Sequence, residues 1–412
     1  MLAKLLLAVP LAWALAPAVG RRQALAGAST VAAGLASVPA AGAAPAAGAA
    51  PAAGAAPAAG AAAFLASTAA YAVVSDSSRR LAPSLAPLGA AAALARLAAP
   101  ATRGVFLGEH HDRLADHELQ AAIIRELRRA SPERPCVVGL ECVQQRFQTA
   151  LDDFFAGRLS TKDLRAATDW DARWTWPFER YAPVFEACRS LKIPMLALNA
   201  DSEALAQVEV GGFRGLDRDA LRRYVPDAQQ FAAFSGTVAF KEYVSYVVAP
   251  SYRAHAQMGI LRQTRDGKTL DKDMSFANFY SGRLLWDSAM ASSAAKWARA
   301  NPTGLFVGVV GADHVKFGCG VSARFAQALG ETADSVCTVM LNPSAVDTAR
   351  DPLAPPGAEL TLQLRFAAVD GDGGTPVTGG DAARDVREAL LQAQVRPGQS
   401  VLPLADVLWA SA

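Results

Sequence analysis

Two short segments of the 412-residue chain share one pattern of residue types. Val105-Phe106-Leu107-Gly108-Glu109-His110-His111 and Val309-Val310-Gly311-Ala312-Asp313-His314 each run from apolar residues through a glycine to a histidine three positions on. Three of the chain's five histidines sit in these segments. Imidazoles beside carboxylates can hold zinc, iron or manganese. They can also move protons, because a carboxylate tunes a neighbouring histidine.

Each apolar run predicts a buried strand, and each glycine lets the chain turn sharply at its end. Strands are expected over 104–108, 136–140, 194–198, 305–310 and 335–341, alternating with helices over 116–130, 144–155 and 177–191. That alternation predicts an α/β fold with a mainly parallel sheet flanked by helices. The stretch 202–300 is too long for one crossover and is read as a crossover plus an inserted helical lid or subdomain. Beyond 345, a strand over 359–366, a Gly/Asp loop over 370–381 and a helix over 382–394 form a C-terminal extension, 346–412, placed on or beside the sheet.

Parallel strands put their C-terminal ends along one edge, where open α/β sheets bind ligands. That edge then carries Glu109, His110, His111, Glu141, Asn199, Asp201, Asp313 and His314. Adjacent histidines face different ways, and His111 is the one in step with His314. As an acid–base site the edge offers Glu109, His111, Glu141 and His314. As a divalent-metal site it offers His111, Glu141, Asp313 and His314, with a glutamate as base on a bound water. Plainer roles compete: Glu141, Asn199 and Asp201 also suit helix starts. His117, read as lying on a surface turn, and His255, in the insertion, rank behind these. Trp170, Trp174, Trp176, Phe178 and Tyr181 crowd twelve residues and either line a ligand pocket or form a helix contact.

The N-terminus reads as addressing. Residues 1–20 have a lysine, an apolar run and small residues, as in a secretory signal. Arg21-Arg22 then precedes a milder apolar run, as in twin-arginine export. Two signals in series over 1–39 point to a plastid, specifically the thylakoid lumen, with secretion as the alternative. The AAGAAP repeats over 40–62 read as a low-complexity linker whose proline and glycine break any helix. The first 62 residues carry +3, so the remainder is −1, which argues against a nucleic-acid partner. Nothing past the signals reads as a membrane span. Five cysteines without C-x-x-C spacing argue against a disulfide framework or a thiolate zinc site.

Five segments occur in order: 106–112 (Phe-Leu-Gly-Glu-His-His-Asp), 138–141 (Val-Gly-Leu-Glu), 198–200 (Leu-Asn-Ala), 285–291 (Leu-Trp-Asp-Ser-Ala-Met-Ala) and 310–321. Over 84–345 the chain thereby resembles the ChaN-like family of haem-binding uptake proteins, in the Tiki/TraB/erythromycin-esterase superfamily. The resemblance implies an α/β fold with a helical lid, haem or another tetrapyrrole as ligand, and haems paired in a homodimer. The candidate ligand contacts are His110, His111, Asn199, Asp201, Trp174, Trp176 and Tyr181. Tyr181, Tyr243, Tyr246 or a histidine could supply an axial ligand. In the Tiki and TraB branches, the paired G-x-x-H motifs and the glutamate imply metal-dependent hydrolysis instead. After His314 the chain reads Phe317-Gly318-Cys319-Gly320-Val321-Ser322, without the tyrosine and proline usual in the family.

Overall fold

Long, continuously apolar runs fit strands covered on both faces, and the centre of this fold is built from them. Every residue of the strands 104–109 and 305–311 is buried. The computed structural model describes residues 56–74, 84–235, 243–343, 361–366, 389–394 and 403–411, with Thr237, Phe240 and Asp347. The targeting segment over 1–39 and the loop over 370–381 lie outside the described residues.

In chain order the strands are β1 (Ala69–Val74), β2 (Ser84–Leu88), β3 (Gly104–Glu109), β4 (Cys136–Gln144), β5 (Met195–Asn199), β6 (Leu305–Gly311), β7 (Val336–Leu341), β8 (Thr361–Phe366), β9 (Ala389–Gln394) and β10 (Val407–Ala410). Eight of them make one sheet, ordered β2-β1-β10-β7-β3-β6-β4-β5. From β10 to β5 the neighbours are parallel, and β1 joins β10 antiparallel. The α/β class and the mainly parallel sheet are as the sequence predicts.

The helices are α1 (Ala56–Ala66), α2 (Ala90–Leu97), α3 (Leu114–Ala130), α4 (Gln148–Phe155), α5 (Thr161–Ala167), α6 (Trp170–Arg173), α7 (Phe178–Ser190), α8 (Ser202–Gly211), α9 (Arg218–Tyr224), α10 (Ala228–Ser235), α11 (Ala249–Gln257), α12 (Phe276–Ala300) and α13 (Val321–Leu329). One layer packs α3 against α7, α1 and α2; another packs α12 against α8, α9 and α13. The insertion over 202–300 is resolved into α8–α11, a π-helical turn at Val244–Val248 and the 25-residue α12. Ser275 starts α12 by accepting a hydrogen bond from the Asn278 amide, the usual N-cap role of serine.

From β3 the chain crosses to β4 on one side, and from β6 it crosses to β7 on the other. β3 and β6 are adjacent, with Glu109 opposite Gly311. Their C-terminal ends therefore flank a topological switch point, the place where such sheets bind ligands. The strands are locked in register by Phe106, Phe306 and Phe325, whose rings lie 5.4–5.5 Å apart. Gly308 makes room for them: a Cβ there would sit 2.7 Å from the Phe106 ring.

Several expectations are corrected. The linker ends in a helix, because Pro57 falls in the first turn of α1, where no amide is needed. β4 runs past Glu141 to Gln144, after a register shift that brings Gln144 opposite Asn199; Glu141 is thus inside a strand and caps no helix. Where a helix is expected over 382–394, the described residues 389–394 form a strand, paired antiparallel with β8 with Leu364 and Leu391 opposite in backbone register. Residues 69–74 and 407–410 belong to the main sheet, so the α/β unit reaches beyond 84–345. β10 slots between β1 and β7, and its Trp409 is fully buried and donates to the Thr68 hydroxyl at 2.7 Å.

Trp409→Ala should therefore cost about 3–5 kcal/mol, the usual penalty for emptying a buried aromatic site. Urea denaturation measures it. An unchanged midpoint would mean that the C-terminal strand is dispensable.

Candidate functional site

Glu109 ends β3 in a buried position. One oxygen accepts from His111 Nδ1 at 2.9 Å. The other accepts from Gln120 at 2.7 Å and lies 3.3 Å from His117 Nε2. Gln120 and His117 come from the buried face of α3. Tyr181 of α7 lies 3.1 Å from His111 Nδ1 and accepts from the Trp174 indole at 3.1 Å. Burial opposes the charge of Glu109, but His117 and His111 overcome it and hold the carboxyl well below the usual range.

The second histidine is held from the other layer. After Gly311 a tight turn, Ala312–His314, brings the His314 ring back under the sheet edge. Its Nε2 lies 3.0 Å from Glu141, and its Nδ1 bonds to Asp287 of α12. Burial and Arg283 oppose a charge on His314, while Glu141 and Asp287 raise its pKa above the usual value. Burial likewise opposes the Glu141 charge, yet His314 brings that carboxyl down to about 2.

The two pairs meet at Gly311. Its amide donates to Glu141 at 2.5 Å. A Cβ on Gly311 would lie 2.7 Å from His111 Nε2 and 3.5 Å from a Glu141 oxygen. The His111 ring thus rests on bare backbone beside Glu141. Trp174 meets that ring edge-on at 5.1 Å, and Trp176, 36% exposed, lies 5.8 Å away. Trp286 stands 5.8 Å from His314 and 6.5 Å from Trp174. The result is a buried acid–base edge flanked by three tryptophans, of which Trp176 is the exposed one.

Glu109, His111, Glu141, His314, Trp174, Trp176 and Tyr181 are brought together. The other candidates point elsewhere. His110 turns to Asp116 and Asp347, at 2.8 and 3.2 Å. Asp313 pairs with Lys316 at 2.7 Å, and Asp201 pairs with Arg146 and Arg223. The buried Asn199 side-chain oxygen has no hydrogen-bond partner among the described residues. Nor, among the described residues, does any group of three His, Cys, Asp or Glu side chains stand ready to hold a metal ion.

The sequence reading missed His117, Gln120, Asp287 and Trp286. His117 is fully buried rather than on a turn. Its spacing to Gln120, Ile124 and Leu127 places it on the inward stripe of α3, a signal that was available. Asp287 lies in the quoted 285–291 segment, as the one charge in an otherwise apolar, alanine-rich helix stretch.

The family model described as "haem-binding uptake, Tiki superfamily, ChaN" matches residues 96–325. The chain belongs to this family. A chloroplast protein, RETICULATA-RELATED 5 of Arabidopsis thaliana, is 25% identical over 256 residues, 58% of this chain and 31% of that protein. The chain thus spans about a third of the length of that curated relative. Among solved structures, one reporting cofacial haem binding to ChaN of Campylobacter jejuni is similar at 13% identity. It covers 84% of this chain and 97% of that one, with a TM-score of 0.44. An erythromycin esterase mutant in its open conformation is similar at 12% identity, over 78% and 93% of the two chains, with a TM-score of 0.39. In this ChaN-family chain no helix among the described residues is long and apolar enough to cross a membrane.

Burial opposes a charge on His110, but Asp116 and Asp347 raise its pKa from 6.5 to about 9. A raised histidine stabilises the fold fully below its unfolded value and loses that contribution as pH rises through the folded one. Between pH 6 and 10 the wild type should lose about 3 kcal/mol more stability than His110→Asn. Urea midpoints across that range read the difference, and parallel curves would show the imidazolium to be uncoupled from folding.

Proposed function

We propose that this chain binds haem or a closely related tetrapyrrole and takes part in haem or iron handling in a plastid, within the thylakoid lumen. Family membership over residues 96–325 carries the reading. The tandem signals and the chloroplast relative support the location.

The residues fit such a ligand in kind. Haem iron takes an imidazole whose other nitrogen is already bonded, and both His111 and His255 are held that way. The tyrosines fit less well. Tyr181 and Tyr243 are buried with their hydroxyls engaged. Burial raises both phenols above the usual range, against phenolate formation. The side chain of Tyr246 lies outside the described residues.

Hemin titration of the purified protein should give a shifted Soret band that saturates at a fixed stoichiometry. A titration indistinguishable from hemin in buffer would refute the reading.

One observation favours a second reading, hydrolysis at the buried edge. Glu109 accepts from Nδ1 of His111, which leaves the Nε2 lone pair over Gly311 beside Glu141. That is the tautomer of a general base. The metal-dependent form, with His111, Glu141 and His314 on the ion, fits less well, because both His314 nitrogens are already taken by Glu141 and Asp287. His111→Asn should then lower turnover of a sensitive ester panel by about 10²–10⁴-fold. Elemental analysis of wild type and of a His111→Ala/His314→Ala double variant separates the metal form from the metal-free one. An inactive wild type would end the reading.

A further inference from the structure

Between α11 and α12 the chain folds back on itself as a tight hairpin over 263–269. Gln263 and Thr269 pair antiparallel, the Gly267 amide closes the turn onto the Thr264 carbonyl at 2.9 Å, and Gly267 takes φ +85°. Arg265 sits at the tip, in the first central position of the turn. Glu209 of α8 pins it by accepting from its backbone amide at 2.8 Å. The hairpin thereby lays an exposed arginine onto α12, with the guanidinium carbon 4.5 Å from the centre of the Trp286 ring. This is a cation–π placement.

Two donors of this pair are unspent. The guanidinium makes no ion pair or hydrogen bond among the described residues. Crowding lowers its pKa, and Glu209 and Glu141 act against that, so the buried edge lies within its electrostatic reach. Both carboxylates are nevertheless committed, Glu141 to His314 and Glu209 to the Arg265 amide. Asp266, next along the turn, pairs with Lys268. The second donor is the indole N–H of Trp286. That side chain is 9% exposed, and its N–H, which can only donate, has no acceptor among the described residues. Stacking accounts for an arginine over the ring. It does not account for a buried donor without an acceptor, which folded proteins seldom keep. Because the nitrogen belongs to the ring that the guanidinium covers, the two donors are neighbours.

We propose that Arg265 and the Trp286 N–H form a carboxylate-binding subsite beside the buried edge. One carboxylate oxygen accepts from the indole N–H, and the other meets the guanidinium, whose forked donors match that group. Trp286 stands 5.8 Å from His314 and 6.5 Å from Trp174, and Trp174 meets His111. A ligand held by its acid group at Trp286 therefore has the histidines of the edge beside it. Arg265 reaches the ring from an exposed turn, so the ligand enters from the solvent side. Two sources carry this chemistry. One is a side-chain carboxylate of a tetrapyrrole, in which case the subsite rests on the haem reading above. The other is the acid group of a small molecule turned over at the edge. In either case the subsite orients the ligand and disfavours its uncharged analogues.

The test follows the indole N–H resonances of the full chain by NMR, with the Trp286 signal identified by its loss in Trp286→Phe. At constant ionic strength benzoate should shift that signal saturably, and benzamide, of the same shape without the charge, should bind about tenfold more weakly. Arg265→Gln should weaken benzoate by about tenfold, and Arg265→Lys should recover part of the loss. Circular dichroism, expected unchanged for a substitution at an exposed turn, shows that the variants fold. Titrations with hemin and hemin dimethyl ester separate the sources. For a tetrapyrrole, wild type prefers hemin by about tenfold and Arg265→Gln binds both alike. Equal binding of the two by wild type, with the benzoate result intact, assigns the subsite to a small acid. The subsite is overturned if benzoate binding at Trp286 is absent or indifferent to Arg265→Gln, and the variant discriminates between hemin and its ester no differently from wild type. Free-hemin behaviour of the wild type would end the haem reading alone, because the benzoate measurement does not depend on it.

Discussion

The contact between Gly311 and its two charged neighbours sets the terms for the rest of the site. One Glu141 oxygen takes the Gly311 amide, and the His111 ring occupies the space a Cβ would need. This is possible only because β3, β6 and β4 are adjacent and in parallel register. The register places Glu109 opposite Gly311, and β4 carries Glu141 along the other side of β6. A side chain at 311 would force apart groups that approach each other across bare backbone.

Concentrating carboxylates at a buried edge is costly, since each loses its hydration. The fold answers from both helical layers. α3 supplies His117 and Gln120 to Glu109, and α12 supplies Asp287 to His314, which in turn neutralises Glu141. Breaking one partner of such a set strands the other as an uncompensated buried charge. The tail is tied into the same economy of contacts. The Leu404 carbonyl accepts from the Phe317 amide just past His314. Asn342, bonded to Ser411, also donates to Asp116, the partner of His110. The C-terminal segment is thus tied by hydrogen bonds to Asp116 and to the turn just past His314.

How much of this was legible follows from the physics of each element. β3 and β6 declared themselves because central parallel strands must be apolar throughout, and the polar residues after them stood out. Glu109, His111, Glu141 and His314 were among those residues, picked out by following apolar runs directly. β10 did not stand out, because four residues, Val407–Ala410, give no usable period on their own; only β7 and β1 make them a strand. The 389–394 segment is rich in residues that suit helices, and its pairing with β8 overrode that preference. Asp287 and His117 were hidden for a different reason. A helix pattern shows which face is inward, but not that a charged residue on that face has a partner on a distant strand.

The histidines then divide by what their second nitrogen does. In the buried edge the second nitrogen is spent on carboxylates or shielded by backbone, so the edge is organised for charge balance and proton position. On the lid, His255 spends one nitrogen on its own helix, and the other has no hydrogen-bond partner among the described residues. A backbone carbonyl one turn away is a local partner, which the lid can provide without the core. The edge, by contrast, needs three strands and two helical layers to make its pairs.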